Sequence, residues 1–299
     1  MDIQELSRTF GSETVSFRLG PGNFIYLDIR NAKSSASICT YGAHIVDFTP
    51  AGERPVLWMG GHSWFEKGKP IRGGVPVCWP WFGPLQDPAM PAHGFARLSQ
   101  WRVKSVGELD CGATRVVLAL NTADVEAVKP AFAFDLEMEF VIGRSLQLRL
   151  TSTNRSGEEQ EIADALHTYL SVAESAEISV RGLDSVEYMD RVVGAPVVDG
   201  LVQKGDIRID CEVDRVYLGT TAAVEVVDPG FGRTIRVEKS GSSETVVWNP
   251  WIRKSHAMPD FGDEEYHGMI CVEAVNFIRD RRILAPGASH VLGQKITVL

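Results

Sequence analysis

Along much of the chain apolar and polar residues alternate one for one. The segments "VSFRLG", "FIYLDIR", "TRVVLALN", "FDLEMEFVI", "SLQLRLTSTN", "AAVEVVD", "TIRVEKS", "ETVVWN" and "MICVEAVNF" follow this pattern and are bounded by Gly, Asn, Asp or Pro. A period of two puts successive side chains on opposite faces of an extended backbone, so these segments read as half-buried antiparallel strands. "IGRSL" and "DPGFGR" lie between pairs of them and predict hairpin turns. Helical candidates are few; "ADVEAVKP", residues 123 to 130, is one, and Pro130 limits it.

So many strands in a single open sheet would leave too much apolar face in water, whereas two large packed sheets bury it. No Ser/Gly/Pro linker, composition shift or fixed-period repeat divides the sequence, so residues 1–299 are expected to form one domain, a large β-sandwich. Two long segments break the strand rhythm, residues 59 to 100 and "NPWIRKSHAMPDFGDEEYHG" from Asn249 to Gly268. Their Trp, Phe and Pro content argues against disorder, and long ordered loops in a compact domain usually carry function.

Composition narrows the class. A chain of 299 residues with 44% hydrophobic and 23% charged residues can build a sizeable core. Its net charge of −9 disfavours nucleic acid, a polyanion repelled at long range, but leaves room for a local arginine cluster that grips a small anion. The N-terminal stretch lacks a signal-like apolar run, and no segment approaches the roughly 18 apolar residues of a membrane span, so a cytoplasmic protein is expected. The five scattered cysteines, Cys39, Cys78, Cys111, Cys211 and Cys271, show no metal or redox spacing and are expected to be reduced, buried thiols.

Candidate chemistry concentrates in a few places. In "KPIRGGVPVCWPWFGP", Arg72 precedes a glycine pair; in "PAHGFAR", Arg97 follows His93 by four residues. Two arginines brought together could hold a phosphate through charge-assisted bonds. In "ADALHTYLSV" the alternation sets Ala165, His167 and Tyr169 on one strand face, and an imidazole there needs a partner or a ligand. Glu273 in "MICVEAVNF" is a carboxylate within an apolar strand, costly unless paired or functional. Asp214 in "CEVDRVYLG" is a weaker case, because Arg215 could neutralise it.

A histidine and a carboxylate on separate strands, with loop arginines, suit proton transfer on a polar substrate. Other chemistries fit worse. G-x-S-x-G is absent, and "GGHSWFEKGKPIRGG" lacks the G-K-[ST] ending of a phosphate loop. "SHAMPDFGDEEYH" holds His256, Asp260, Asp263, Glu264, Glu265 and His267, but the spacing matches no metal motif and reads as an exposed acidic loop.

Taken in order, "IRGGVPVCWPWFGP", "PAHGFAR", "LHTYL", "EVDRVY", "VVWNPW" and "DFGDEEYHGMICVEA" resemble the glucose-6-phosphate 1-epimerases, or hexose-6-phosphate mutarotases, of the aldose 1-epimerase superfamily. The similarity runs from about Phe24 to the C-terminus. It implies a galactose-mutarotase-like β-supersandwich and an isomerase that interconverts the anomers of a hexose 6-phosphate, with neither metal nor organic cofactor. The family's acid/base pair corresponds to His167 and Glu273, its substrate-binding arginines to Arg72 and Arg97, and its sugar-binding aspartate to Asp214. His93 corresponds to a histidine that contacts the sugar. Eukaryotic members carry Gln just before that histidine, where this chain has Ala92, and the Trp79-Pro80-Trp81 run resembles the bacterial branch. Two alternatives remain open on sequence: a mutarotase of unphosphorylated aldoses, and a non-catalytic carbohydrate-binding protein on the same fold.

Overall fold

In a computed structural model of the chain, residues 2–125, 133–194 and 200–299 are described. Each alternating segment forms a strand. In Phe134–Ile142 every second side chain is buried, and the facing strand Leu146–Asn154 repeats the pattern, with Phe140 opposite Leu148 and Met138 opposite Leu150. Burying one face of each strand fixes the register, since a one-residue slip would turn the whole apolar set outward. The two hairpins read from "IGRSL" and "DPGFGR" close as expected, at Ile142 opposite Leu146 and Asp228 opposite Arg233.

Among the described residues the strands assemble into two eight-stranded antiparallel sheets, a four-stranded sheet and a two-stranded ribbon. One large sheet runs Ser179–Arg181, Val224–Asp228, Arg233–Ser240, Ser289–Val298, Leu146–Asn154, Phe134–Ile142, Thr114–Asn121, Arg102–Glu108. The other is built around Met269–Asn276, flanked by Glu244–Asn249 and Val213–Tyr217 on one side and by Asp164–Leu166 and Val77–Cys78 on the other; Tyr169–Ser171 also pairs with it. The two sheets share one apolar core, to which the first contributes Leu136, Phe140 and Leu148 and the second Leu166, Leu170, Val247, Ile270 and Val272.

Four expectations from the sequence are corrected by the structure. A helix, Ile3–Phe10, opens the described chain, capped by Asp2 accepting from the Gln4 amide. The segment from Asn249 to Gly268 is not all loop: it holds the helix Trp251–Ala257 and a 3-10 turn, Glu265–Gly268. The helical turn expected at residues 123 to 130 is a 3-10 turn over Thr122–Asp124, where an Asn121/Asp124 capping box takes over; residues 126–130 lie outside the described residues. All five cysteines are free, but only Cys39, Cys78 and Cys271 are buried; Cys111 and Cys211 sit in turns and bends between strands and are exposed. No helix among the described residues is long and apolar enough to cross a membrane.

One buried group has a measurable cost. Neither carboxylate oxygen of Asp164 has a hydrogen-bond partner, and burial pushes its pKa up to about 7 against the pull of Arg282. The folded state therefore favours the protonated acid. Stability from this group is whole below the unfolded value near pH 4 and is lost as pH rises through about 7. Asp164→Asn is expected to gain roughly 3–4 kcal/mol on the natural protein between pH 4 and pH 8, measured by urea denaturation at both; a difference that does not change with pH would remove this account.

Candidate active site

The site lies on the face of the second large sheet that points away from the shared core. In Met269–Asn276, Ile270, Val272 and Ala274 enter that core, so Cys271, Glu273 and Val275 take the opposite face. Strand pairing spreads this face sideways: Val246 stands opposite Glu273, Trp248 and Tyr169 opposite Cys271, and Asp214 opposite Trp248. The alternation read for Ala165, His167 and Tyr169 holds, because Leu166 and Leu170 enter the shared core while Ala165 and Tyr169 do not. The strand itself is interrupted. His167 and Thr168 fall between Asp164–Leu166 and Tyr169–Ser171, where the His167 amide bonds Pro76 O at 3.1 Å and the Thr168 amide bonds Leu166 O at 3.0 Å. This break places an imidazole beside the unbroken strand that carries Glu273.

There the two groups meet. His167 Nε2 stands 3.4 Å from Glu273 Oε1, with both side chains almost wholly buried. The imidazole stacks on Tyr169, ring centres 4.8 Å apart and planes 10° from parallel. Neither His167 Nδ1 nor either carboxylate oxygen of Glu273 has a protein hydrogen-bond partner. Polar atoms this deep without partners are expensive, and they are the atoms a hydroxylated ligand would satisfy.

The two long segments cover this face and are tied together. Glu265 accepts from the Gly61 amide at 2.6 Å and from the Gly262 amide at 2.7 Å. Arg72 donates to Asp260 from both Nε and Nη2, at 3.0–3.2 Å, and from Nη1 to the Tyr169 hydroxyl at 3.0 Å. Asp260, read from sequence as part of an exposed acidic loop, is buried because it neutralises this arginine. Between the segments and the sheet lies a cleft of about 240 Å³, lined by Arg72, His93, His167, Asp214 and Glu273 among others. His93 holds a left-handed backbone (φ 62°); its Nδ1 accepts from the Gly83 amide at 3.3 Å, and its ring centre lies 5.8 Å from that of His167.

Of the six residues singled out in the sequence, five line the cleft. Arg97 is not among its lining residues: Nη2 donates to Ala92 O at 2.7 Å, and the charge acts on His93, His167 and Glu273 through the protein. Asp214 is engaged by Lys254 at 3.4 Å rather than by Arg215, which turns to Asp190 at 3.6 Å. Strand alternation explains that outcome, since neighbours in sequence point to opposite faces. Sequence reading missed Arg191, Lys254, Trp248 and Phe82, all cleft residues. Only the period-two pattern of "ETVVWN" held a signal, placing Trp248 on one face with Val246; nothing local marks Arg191 or Lys254.

Electrostatics follow from burial. Desolvation pushes His167 well below the ordinary histidine range, and the charges of Arg97 and Arg72 push the same way. Desolvation, with Asp214 adding to it, holds Glu273 well above the ordinary carboxylate range. Both shifts favour the uncharged forms, a protonated carboxyl beside a neutral imidazole. Imidazole ¹⁵N NMR is expected to find His167 neutral at pH 6, where an ordinary histidine is mostly charged. A His167 titration near pH 6.5 would contradict this.

His167, Cys271 and Glu273 offer nitrogen, sulfur and oxygen atoms all within 4.8 Å of one another, a donor set able to ligate a cation such as zinc. Against that, burial raises the Cys271 thiol well above its usual value, and the ligating form is the thiolate.

A family model for aldose 1-epimerase matches residues 26–297. The chain belongs to the aldose 1-epimerase family and is an isomerase. Among its relatives, a protein of Escherichia coli (strain K12) named "Putative glucose-6-phosphate 1-epimerase" is 35% identical over 265 residues, 88% of this chain and 86% of that protein. One of the same name from Cenchrus ciliaris is 32% identical over 82% of this chain and 76% of the relative. The solved structure of "a putative mutarotase (YeaD) from Salmonella typhimurium" superposes with a TM-score of 0.87 at 30% identity, covering 96% of this chain and 94% of that one. The galactose-mutarotase-like sandwich expected from the resemblance is thus the fold observed.

Proposed function

We propose that the protein interconverts the α and β anomers of a hexose 6-phosphate, with glucose 6-phosphate the expected substrate, by acid/base ring opening at His167 and Glu273. The observation that carries this reading is the 3.4 Å approach of His167 Nε2 to Glu273 Oε1 in a cleft walled by cationic side chains. Carbohydrate binding alone would not call for a buried imidazole and carboxyl group this close.

The chemistry requires one proton to leave the anomeric hydroxyl and one to reach the ring oxygen. Substrate hydroxyls bonded to the partnerless oxygens of Glu273 favour its carboxylate form and send the shared proton to His167. Glu273 then removes the O1 proton as His167 protonates the ring oxygen; the C1–O5 bond breaks and the C1 carbonyl forms. This leaves a neutral acid beside a neutral imidazole, the arrangement that burial favours in the free protein. Charge on the pair is lost as the ring opens, so a desolvated pocket favours the transition state for opening over the closed sugar. Rotation about C1–C2 and the reverse transfers close the ring on its other face. His93, Arg72 and Asp214 hold the sugar from the cleft wall, and Arg97 acts on the pair by its charge. Both proton transfers use side chains, so the step calls for neither metal nor organic cofactor.

Anomerisation of glucose, galactose, glucose 6-phosphate and galactose 6-phosphate, followed by polarimetry or exchange NMR, tests the reading. A clear preference for the phosphorylated sugars is expected; equal or faster turnover of free aldoses would replace it with the unphosphorylated-aldose alternative.

A further inference from the structure

Behind the acid/base pair, on the face of the sheet that enters the shared core, two buried polar side chains meet. Thr168 shares its face with Leu166 and Leu170; Gln294, on the strand Ser289–Val298 of the other large sheet, shares its face with Leu292 and Ile296. Neither lines the cleft. The Thr168 hydroxyl donates to Gln294 Oε1, and Gln294 Nε2 donates to Val272 O at 3.0 Å. A backbone carbonyl only accepts, so Val272 O fixes which end of the Gln294 amide faces it and leaves the oxygen for Thr168. Polar groups this deep in an apolar layer are costly unless they satisfy one another.

Strand register shows what this bridge replaces. Leu166 stands opposite Ala274 and Tyr169 opposite Cys271, so one register runs across the break and sets His167 opposite Glu273 and Thr168 opposite Val272. In a regular antiparallel ladder such a pair exchanges two amide-to-carbonyl bonds or none. Here Val272 N donates to Thr168 O at 3.1 Å, but the Thr168 amide turns to Leu166 O at 3.0 Å, and the return bond is not made. Gln294 supplies the donor that Val272 O has lost and holds Thr168 by its hydroxyl. One side chain thus grips the residue after His167 and the residue before Glu273.

We infer that Gln294 is a positioning residue for the acid/base pair: it stabilises the strand break and so sets how far His167 stands from Glu273. Without it the Thr168 amide regains Val272 O, the ladder closes, and the His167 backbone is drawn into a regular strand. Gln294 works through Thr168 and Val272 from the core side of the sheet, away from the sugar. The inference rests on the roles proposed above for His167 and Glu273.

Gln294→Leu and Thr168→Val remove the bridge from either end, and Thr168→Ser keeps the hydroxyl. The first two are expected to lower kcat for anomer exchange by about 10- to 100-fold while KM changes less than about threefold, because the cleft wall that holds the sugar is untouched. Thr168→Ser is expected to stay within about threefold of the natural kcat, and Thr168→Val combined with Gln294→Leu to be hardly slower than Gln294→Leu alone. Urea denaturation checks folding; if Gln294→Leu does not fold, Thr168→Val against Thr168→Ser carries the comparison. A near-natural kcat in the folded bridge variants, or an equal loss in Thr168→Ser, would overturn the inference, since a merely structural bond lowers stability and leaves the folded enzyme's kcat alone. A crystal structure of Gln294→Leu reads the same point without substrate: Thr168 N is expected on Val272 O, with His167 Nε2 farther from Glu273 Oε1 than the natural 3.4 Å. Natural geometry retained there would also overturn it. A natural protein inactive on all four sugars would sink the hexose-phosphate reading on its own, while a displaced His167 in Gln294→Leu would still support the positioning role.

Discussion

Glu273→Gln and His167→Asn are each expected to lower the rate of anomer exchange by about a thousandfold or more while the protein stays folded. Both replacements nearly keep side-chain shape and remove the ability to exchange a proton. Glutamine cannot take the O1 proton, and asparagine cannot give one to the ring oxygen. Because the two groups stand 3.4 Å apart and each carries one of two coupled proton transfers, they act as a unit. The double variant should therefore be hardly slower than either single one, a non-additivity that two independent contributors would not show. Exchange NMR reads rates down to the spontaneous background, and urea denaturation checks the fold. Either single variant retaining more than about a tenth of the natural rate would remove its residue from the proposed chemistry.

The second large effect is on stability. Gly94 has φ 73°, and a Cβ there would stand 1.9 Å from Trp79 O, the atom that accepts the Phe95 and Ala96 amides at 3.0 and 3.2 Å. Gly94→Ala must push the loop away from that carbonyl and give up those bonds, besides adopting a backbone conformation that alanine disfavours. A loss of about 3 kcal/mol or more is expected, with activity falling as His93 leaves the cleft. Gly52→Ala is the control. Its φ is 84° but nothing lies within 4 Å of its Cβ position, so only the conformational strain of about 1 kcal/mol should appear. Equal effects at the two positions in urea denaturation would show that close approach to Trp79 is not what demands glycine.

The site was partly legible in the sequence. Glu273 stood out because a carboxylate in "MICVEAVNF" contradicts its surroundings, and a charge placed where burial is expected needs a reason. His167 was legible through the alternation that puts it with Ala165 and Tyr169, although the strand break that aims it was not. Asp260 was misread: five acidic and histidine neighbours suggested a solvated loop, and its partner Arg72 lies 188 residues away. Arg191 and Lys254 could not be found by local pattern, since a surface arginine and a cleft arginine look alike until the chain closes over them.

By itself the sequence determined the strands, which face of each is apolar and two of the hairpins, because a period of two dictates the faces of an extended chain and Gly, Asn, Asp and Pro end it. Its motifs also named the pair His167 and Glu273. Only the tertiary structure decided that these residues, 106 apart, meet at 3.4 Å, that burial favours their uncharged forms, and which cations are already neutralised. Desolvation and ion pairing depend on what stands within a few ångströms, and that distance is set by strand register and loop closure rather than by neighbours along the chain.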